Sequence, residues 1–201
     1  MKFKNYFKTD NILLFLYIIL FIICGIKPYD RTVWIAENIP VIIVVLGIAF
    51  VHKKYHKFSN LSLIFMSIFV FLHTIGGHYT FARVPFDYIT NLFDFSRNHF
   101  DRIAHFSVGF YAYPIIEILH KKKLVKNKFI LFSYAIFAIM AIAGLYELFE
   151  WVYAIMQGGN AGIEVLGSQG DIWDAQKDIL SDTLGAIFSS IIYFFRNKIK
   201  F

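Results

Sequence analysis

Four aspartates near the C-terminus stand three or four residues apart in the run Asp171-Ile-Trp-Asp174-Ala-Gln-Lys-Asp178-Ile-Leu-Ser-Asp182-Thr-Leu-Gly185. Helical periodicity places residues at i, i+3 and i+4 on one face, so the run predicts a single acidic stripe. Like charges at that spacing repel by about 0.2–0.5 kcal/mol per pair in water. Something positive is therefore expected opposite them: a metal ion, Arg102, or protons bound to the carboxylates themselves. The affinity of acids for a helix N-terminus accounts for Asp171 and Asp174. It does not account for Asp182, expected about one turn inside the apolar segment. Gly185 would let another helix approach closely.

Two more segments carry ionisable residues at helical spacing. In Tyr146-Glu147-Leu-Phe-Glu150-Trp151, Glu147 and Glu150 share a face. In Arg97-Asn98-His99-Phe100-Asp101-Arg102-Ile-Ala-His105-Phe106, Asp101 and His105 lie four apart. His105 would bind a metal with Asp101 as second ligand or orienter, or act as a general base held by Asp101. Arg102 has the planar fork that grips a phosphate. His73 and His78 flank Gly76-Gly77. The expected metal ligands are His78, His99, His105, Glu147, Asp171, Asp174, Asp178 and Asp182, with Asp101 and Glu150 as candidate bases and Arg102 as the phosphate holder. Blander readings stand beside these: Glu150 solvated next to Trp151, an Asp101–His105 bond that locks a helix start, and His73 as a satisfied structural group. His52, His56 and His120 adjoin lysines and read as ordinary interface residues. Carboxylates with one or two imidazoles suit Mg²⁺, Mn²⁺, Ca²⁺ or Zn²⁺. The chain has no Ser-His-Asp order, P-loop or dinucleotide fingerprint.

The elements that must position these residues are apolar. The 201 residues are 58% hydrophobic and 17% charged, whereas a soluble domain is about a quarter charged. Apolar runs long enough to cross about 30 Å of hydrocarbon recur along the chain. They predict an all-α, polytopic membrane protein of one domain, with about six spans near 11–26, 38–52, 59–76, 103–120, 129–150 and 178–195. Cys24 lies inside the first run, which excludes a disulfide framework, and no small-residue cleavage site follows that run. Loops of about 77–102 and 151–177 are long, the first rich in aromatics and expected to lie along the membrane interface or cap the bundle.

Six spans put fourteen basic residues on one side, among them Lys2, Lys4, Lys53, Lys54, Lys57, Lys121, Lys122, Lys123, Lys198 and Lys200, against six on the other. That bias predicts a multi-pass protein with both termini cytoplasmic. Twelve of the fourteen acidic residues then face outward, all but Asp10 and Glu117. The net charge of +6 comes from short loops between spans, so the expected partner is membrane lipid and not nucleic acid. The oligomeric state is not encoded in any motif.

With these residues in view, the chain resembles the DUF2238 (YjdF-like) family of bacterial inner-membrane proteins. The resemblance rests on Gly76-Gly77-His78-Tyr79-Thr80, on Phe95 to Arg102 with His105-Phe106, on Tyr146-Glu147 with Glu150-Trp151, and on Gly167-Ser-Gln-Gly170-Asp171-Ile-Trp-Asp174 with Asp178. It implies a bacterial inner (cytoplasmic) membrane location, in a family that is named for having no assigned function. The chain is more loosely similar to VanZ-like membrane proteins through Asp101-Arg102-Ile-Ala-His105-Phe106 and Asp178-Ile-Leu-Ser-Asp182-Thr-Leu-Gly185, with Asp182 where that pattern has Asn. This implies a role near envelope lipids or in glycopeptide susceptibility. The Asp-Gly-x-x-Ala-Arg element of CDP-alcohol lipid-headgroup transferases is missing. Three readings fit these residues: a metal-dependent enzyme acting on lipid or lipid-linked headgroups at the extracytoplasmic side, an ion-coupled transporter, and a non-catalytic envelope protein with a structural polar cluster.

Overall fold

In the computed structural model, which describes residues 8–197 and Ile199, every regular element among the described residues is helical. Lys2, Lys4, Lys198 and Lys200 of the charge argument lie outside the described residues. The helices are α1 (Thr9–Gly25), α2 (Arg31–Phe50), α3 (Asn60–His78), α4 (Asp87–Leu92), α5 (Phe100–Val108), α6 (Ala112–Lys121), α7 (Lys128–Gln157), α8 (Gly159–Leu166) and α9 (Asp174–Asn197). Arg31–Tyr55, Asn60–His78, Lys128–Gln157 and Asp174–Asn197 are each long and apolar enough to cross a membrane. The 17-residue α1 is apolar but shorter.

Capping fixes several helix starts. Asp30 accepts from the amides of Thr32 and Val33, Ser59 from Ser62, and Asn127 from Ile130, satisfying donors that the first helical turn leaves open. The Asp30 cap starts α2 earlier than the apolar pattern does, and Glu37 thereby moves from an expected loop to the second turn of α2, where it is buried. The fourth expected span is two helices joined by a 3₁₀ turn, Gly109–Tyr111. The long loops are shorter than their sequence implies: α7 continues to Gln157, α8 occupies Gly159–Leu166, and α4 lies within the aromatic loop.

The main core is formed by Phe65, Phe110, Tyr113, Ile116, Leu131, Ile139 and Tyr193. Large apolar side chains such as Phe15, Ile43, Phe137 and Leu145 point outward, as lipid-facing positions do. The tightest helix contact joins α9 to α5 and the 3₁₀ turn. A Cβ on Gly185 would overlap the Phe106 carbonyl, and one on Gly109 would overlap the backbone at Ala186. Ser189 Oγ donates to the Gly109 carbonyl at 2.9 Å, in place of the side-chain bulk that the two glycines lack.

Candidate functional site

The close approach of α5 and α9 decides what their polar faces meet. Asn98 Oδ1 accepts from the Phe100 amide at 2.9 Å and starts α5, so that Asp101 and His105 turn inward. Asp174, Asp178 and Asp182 are all buried on the facing side of α9, which is the stripe expected from their spacing. The positive groups opposite are three. Arg97 donates to Asp174 at 2.5 Å and to the Ser168 carbonyl at 3.0 Å. Arg102 donates to both Asp174 and Asp178. His105 Nδ1 lies 3.2 Å from Asp182, and its Nε2 lies 3.6 Å from Asp101 and 3.7 Å from Asp178.

One donor atom from each of Asp101, His105 and Asp178 can be chosen so that all lie within 4.8 Å of one another, an arrangement able to hold a metal ion. Asp182 Oδ1 and Asp174 Oδ2 are buried with no hydrogen-bond partner among the described residues. Charge tells the same story. Four buried aspartates face two arginines and a titratable imidazole, which leaves two negative charges when His105 is neutral. Buried charge at that excess is costly unless a cation or protons answer it.

Of the remaining expected ligands, Asp171 and Glu147 border the cluster: Asp171 stands 3.7 Å from both Arg97 and Arg102, and Glu147 lies within charge reach of His105, Asp178, Asp101 and Asp182. Asp171 sits at the rim, bonded by Lys177 at 2.6 Å, and that ammonium holds its carboxyl below the usual range. His99 packs edge-on against Phe95 with ring centroids 4.6 Å apart. Burial first, then Arg97, Arg102 and Lys177, hold it below the ordinary histidine value. His78 Nδ1 donates to the Cys24 carbonyl at 2.7 Å and ties α3 to α1. Glu147 Oε1 is buried and unpartnered among the described residues, whereas Glu150 is buried on the wall of a cavity.

That cavity, of about 210 Å³, adjoins the aspartate cluster. Val44, Phe69, Val108, Ile139 and Ile142 give it apolar walls, while His73, Asp101, His105, Tyr146, Glu150 and Asp182 bring polar groups to it. It follows α7 from Ile139 to Glu150, roughly 16 Å at the helical rise. Val165, Leu166 and Gly167 close over it from α8 and the turn after it.

Sequence reasoning missed Glu37, which forms a second buried set with His73 and Tyr146 of the cavity lining. Glu37, 2% exposed, lies 3.1 Å from His73 Nε2 through Oε2 and accepts from Tyr146 Oη at 2.8 Å. Asp30 as an N-cap was the signal for Glu37, since it carries α2 through that position. Arg97 was also missed, and only its pairing across 77 residues with Asp174 reveals it. At the opposite, lysine-rich end, Glu117 is fully buried and accepts from the Ser59 amide at 2.9 Å, Ser59 Oγ at 2.7 Å, Ser62 Oγ and Lys121 at 2.6 Å. It pins α6 to the start of α3.

Comparison with known proteins gives the family. A family model described as "Predicted membrane protein (DUF2238)" matches residues 9–198. The chain is 34% identical over 176 residues to the inner membrane protein YjdF of Escherichia coli strain K12, covering 86% of this chain and 83% of that protein. No solved structure matches it.

Proposed function

The chain belongs to the DUF2238 family of predicted membrane proteins, and from that premise we propose that it is a single-domain, six-pass enzyme of the bacterial inner membrane. It acts through a divalent metal on the phosphate-bearing headgroup of a lipid or lipid-linked substrate. In this reading α1 and the α5–α6 pair complete the six crossings, both termini are cytoplasmic, and the aspartate cluster faces outward. The observation that carries it is a shared wall: Asp101, His105 and Asp182 line the same apolar cavity. A site built for a water-soluble substrate has no need of a hydrocarbon-lined extension.

Asp101, Asp178 and His105 Nε2 would hold the ion, with Asp182 fixing the ring through Nδ1. Two carboxylates and an imidazole suit Mn²⁺ or Zn²⁺, with Mg²⁺ and Ca²⁺ favoured less. The ion supplies the two positive charges that the four aspartates lack and would polarise a phosphoryl oxygen or activate water. Arg102 would offer its remaining donors to a phosphate beside its aspartate bonds, and Glu150, which lines the same cavity, would serve as base. Asp174 acts as the counter-charge of Arg97 and Arg102.

Elemental analysis of detergent-purified protein tests this, with wild type beside Asp178→Ala and Asp101→Asn. Near-stoichiometric metal in wild type and its loss in variants of unchanged helicity is the expected result. A metal-free wild type after supplementation with all four ions sinks the reading. The buried Glu37–His73–Tyr146 set beside the same cavity favours a second reading, an ion-coupled carrier. Ion uptake by reconstituted vesicles that Glu37→Gln abolishes, without any lipid turnover, would select it.

A further inference from the structure

The opposite, lysine-rich end of the molecule carries a site of another kind. α1 and α2 both pack on α3, and a groove of about 120 Å³ lies between them. Leu13, Leu14, Val45, Ile48, Val70 and Phe71 make it apolar. It follows α1 from Asp10 to Tyr17, roughly 10 Å at the helical rise. At its polar end it shares Asp10, His52 and Lys53 with a wider hollow of about 390 Å³, to which Lys54, Tyr55, His56 and Lys57 also belong.

The backbone departs from α-helix at that junction. Val51–Tyr55 forms a π turn, a local widening that recurs at functional sites. Lys53, Lys54 and Lys57 are exposed, and none has an ion-pair partner among the described residues. Lys122 brings its ammonium to 3.3 Å from the centre of the Tyr55 ring. The one acid of the lining, Asp10, stands 3.5 Å from His52, which leaves the lysines as the anion donors.

We propose that this composite site binds an anionic phospholipid of the adjoining leaflet, with its phosphate at Lys53, Lys54 and Lys57 and an acyl chain in the α1–α2 groove. Charge complementarity selects the headgroup, and the continuous apolar groove selects a lipid over a free phosphate or a nucleic acid. Loop lysines that serve only to orient a membrane protein require no groove beside them. The proposal does not depend on the chemistry of the aspartate end.

The test is lipid binding to the full-length, detergent-purified protein, read by native mass spectrometry with phosphatidylglycerol and phosphatidylcholine as probes. Wild type should retain phosphatidylglycerol in preference to phosphatidylcholine. Removing two lysines in Lys53→Gln/Lys57→Gln should weaken phosphatidylglycerol binding roughly 30-fold, the effect of two surface cations near an anionic headgroup. Ala49→Phe, which fills the groove and leaves every charge in place, should also weaken it. That variant keeps the proposal testable if the lysine pair is needed for insertion. Circular dichroism confirms that each variant is folded. Equal retention of the two lipids, or wild-type binding by both variants, overturns the proposal. Displacement of the lipid by soluble glycerol phosphate at equal concentration overturns the acyl-chain half of it.

Discussion

His105 and Asp182 meet through Nδ1 and a carboxylate oxygen at 3.2 Å, and that contact determines which ring nitrogen the other two aspartates see. With Nδ1 engaged, Nε2 is directed at Asp101 and Asp178. Asp182 thus orients the imidazole, and Asp101 and Asp178 share what the imidazole presents.

Asp182→Asn should preserve the bond while removing its charge. The expected outcome is a protein that still folds and still binds metal, about 10- to 100-fold more weakly than wild type. Titration against a chelating dye measures this directly. An unchanged affinity would remove Asp182 from the site.

Glu117 is 0% exposed and gathers donors from Ser59, Ser62 and Lys121. Glu117→Ala leaves several of these buried and unsatisfied, and should cost about 3–5 kcal/mol. Glu117→Gln, which keeps an acceptor oxygen, should cost less. Unfolding in mixed micelles distinguishes the two, and equal losses would show that only charge matters here.

Gly185→Ala places a methyl group against the Phe106 carbonyl. Overpacking of this sort costs typically about 1–3 kcal/mol, and here it presses on backbone, which yields less than a side chain. The variant should unfold at a lower temperature than wild type in the same detergent. A neutral result would mean that α9 can slide on α5.

Arg83 and Glu164 form an ion pair between the aromatic loop and α8, outside the spans. The Arg83 hydrogen bond holds the Glu164 carboxyl below its ordinary value, with partial burial opposing. A depressed acid contributes stability above its unfolded value, about 4.3, and loses it as pH falls through the lower folded value. The pairing should therefore be intact above the unfolded value of about 4.3 and be lost only as pH falls through the lowered folded value of Glu164. Partial exposure keeps the effect modest. Hydrogen exchange of Gly159–Leu166 should quicken over that window in wild type and be fast throughout in Arg83→Ala.

The parts of this molecule written in local periodicity are those the sequence announces. The α9 stripe follows from a four-residue repeat and the Asp101–His105 face from an i, i+4 pair, and both point inward as expected. The 3₁₀ break at Gly109–Tyr111 is hidden because the residues around it are apolar, and hydropathy does not register a change of pitch. The pairing of Glu37 with Tyr146 is hidden for a different reason. In an apolar chain nearly every helix face is hydrophobic, so no stripe tells which side meets a neighbour and which meets lipid. His78 shows the cost: its type and position suited a ligand, but its ring serves the Cys24 carbonyl.

Glu37 also sets a problem of timing. Tyr146, which donates to it, is 109 residues downstream, and at bacterial rates of about 5–20 residues per second the ribosome needs roughly 5–20 s to reach it. His73, 36 residues downstream, arrives several seconds sooner. Through the interval the Glu37 carboxylate of α2 has, among its side-chain partners in the described residues, only that imidazole. His73 is thus an escort of the nascent chain as much as a fixture of the finished one.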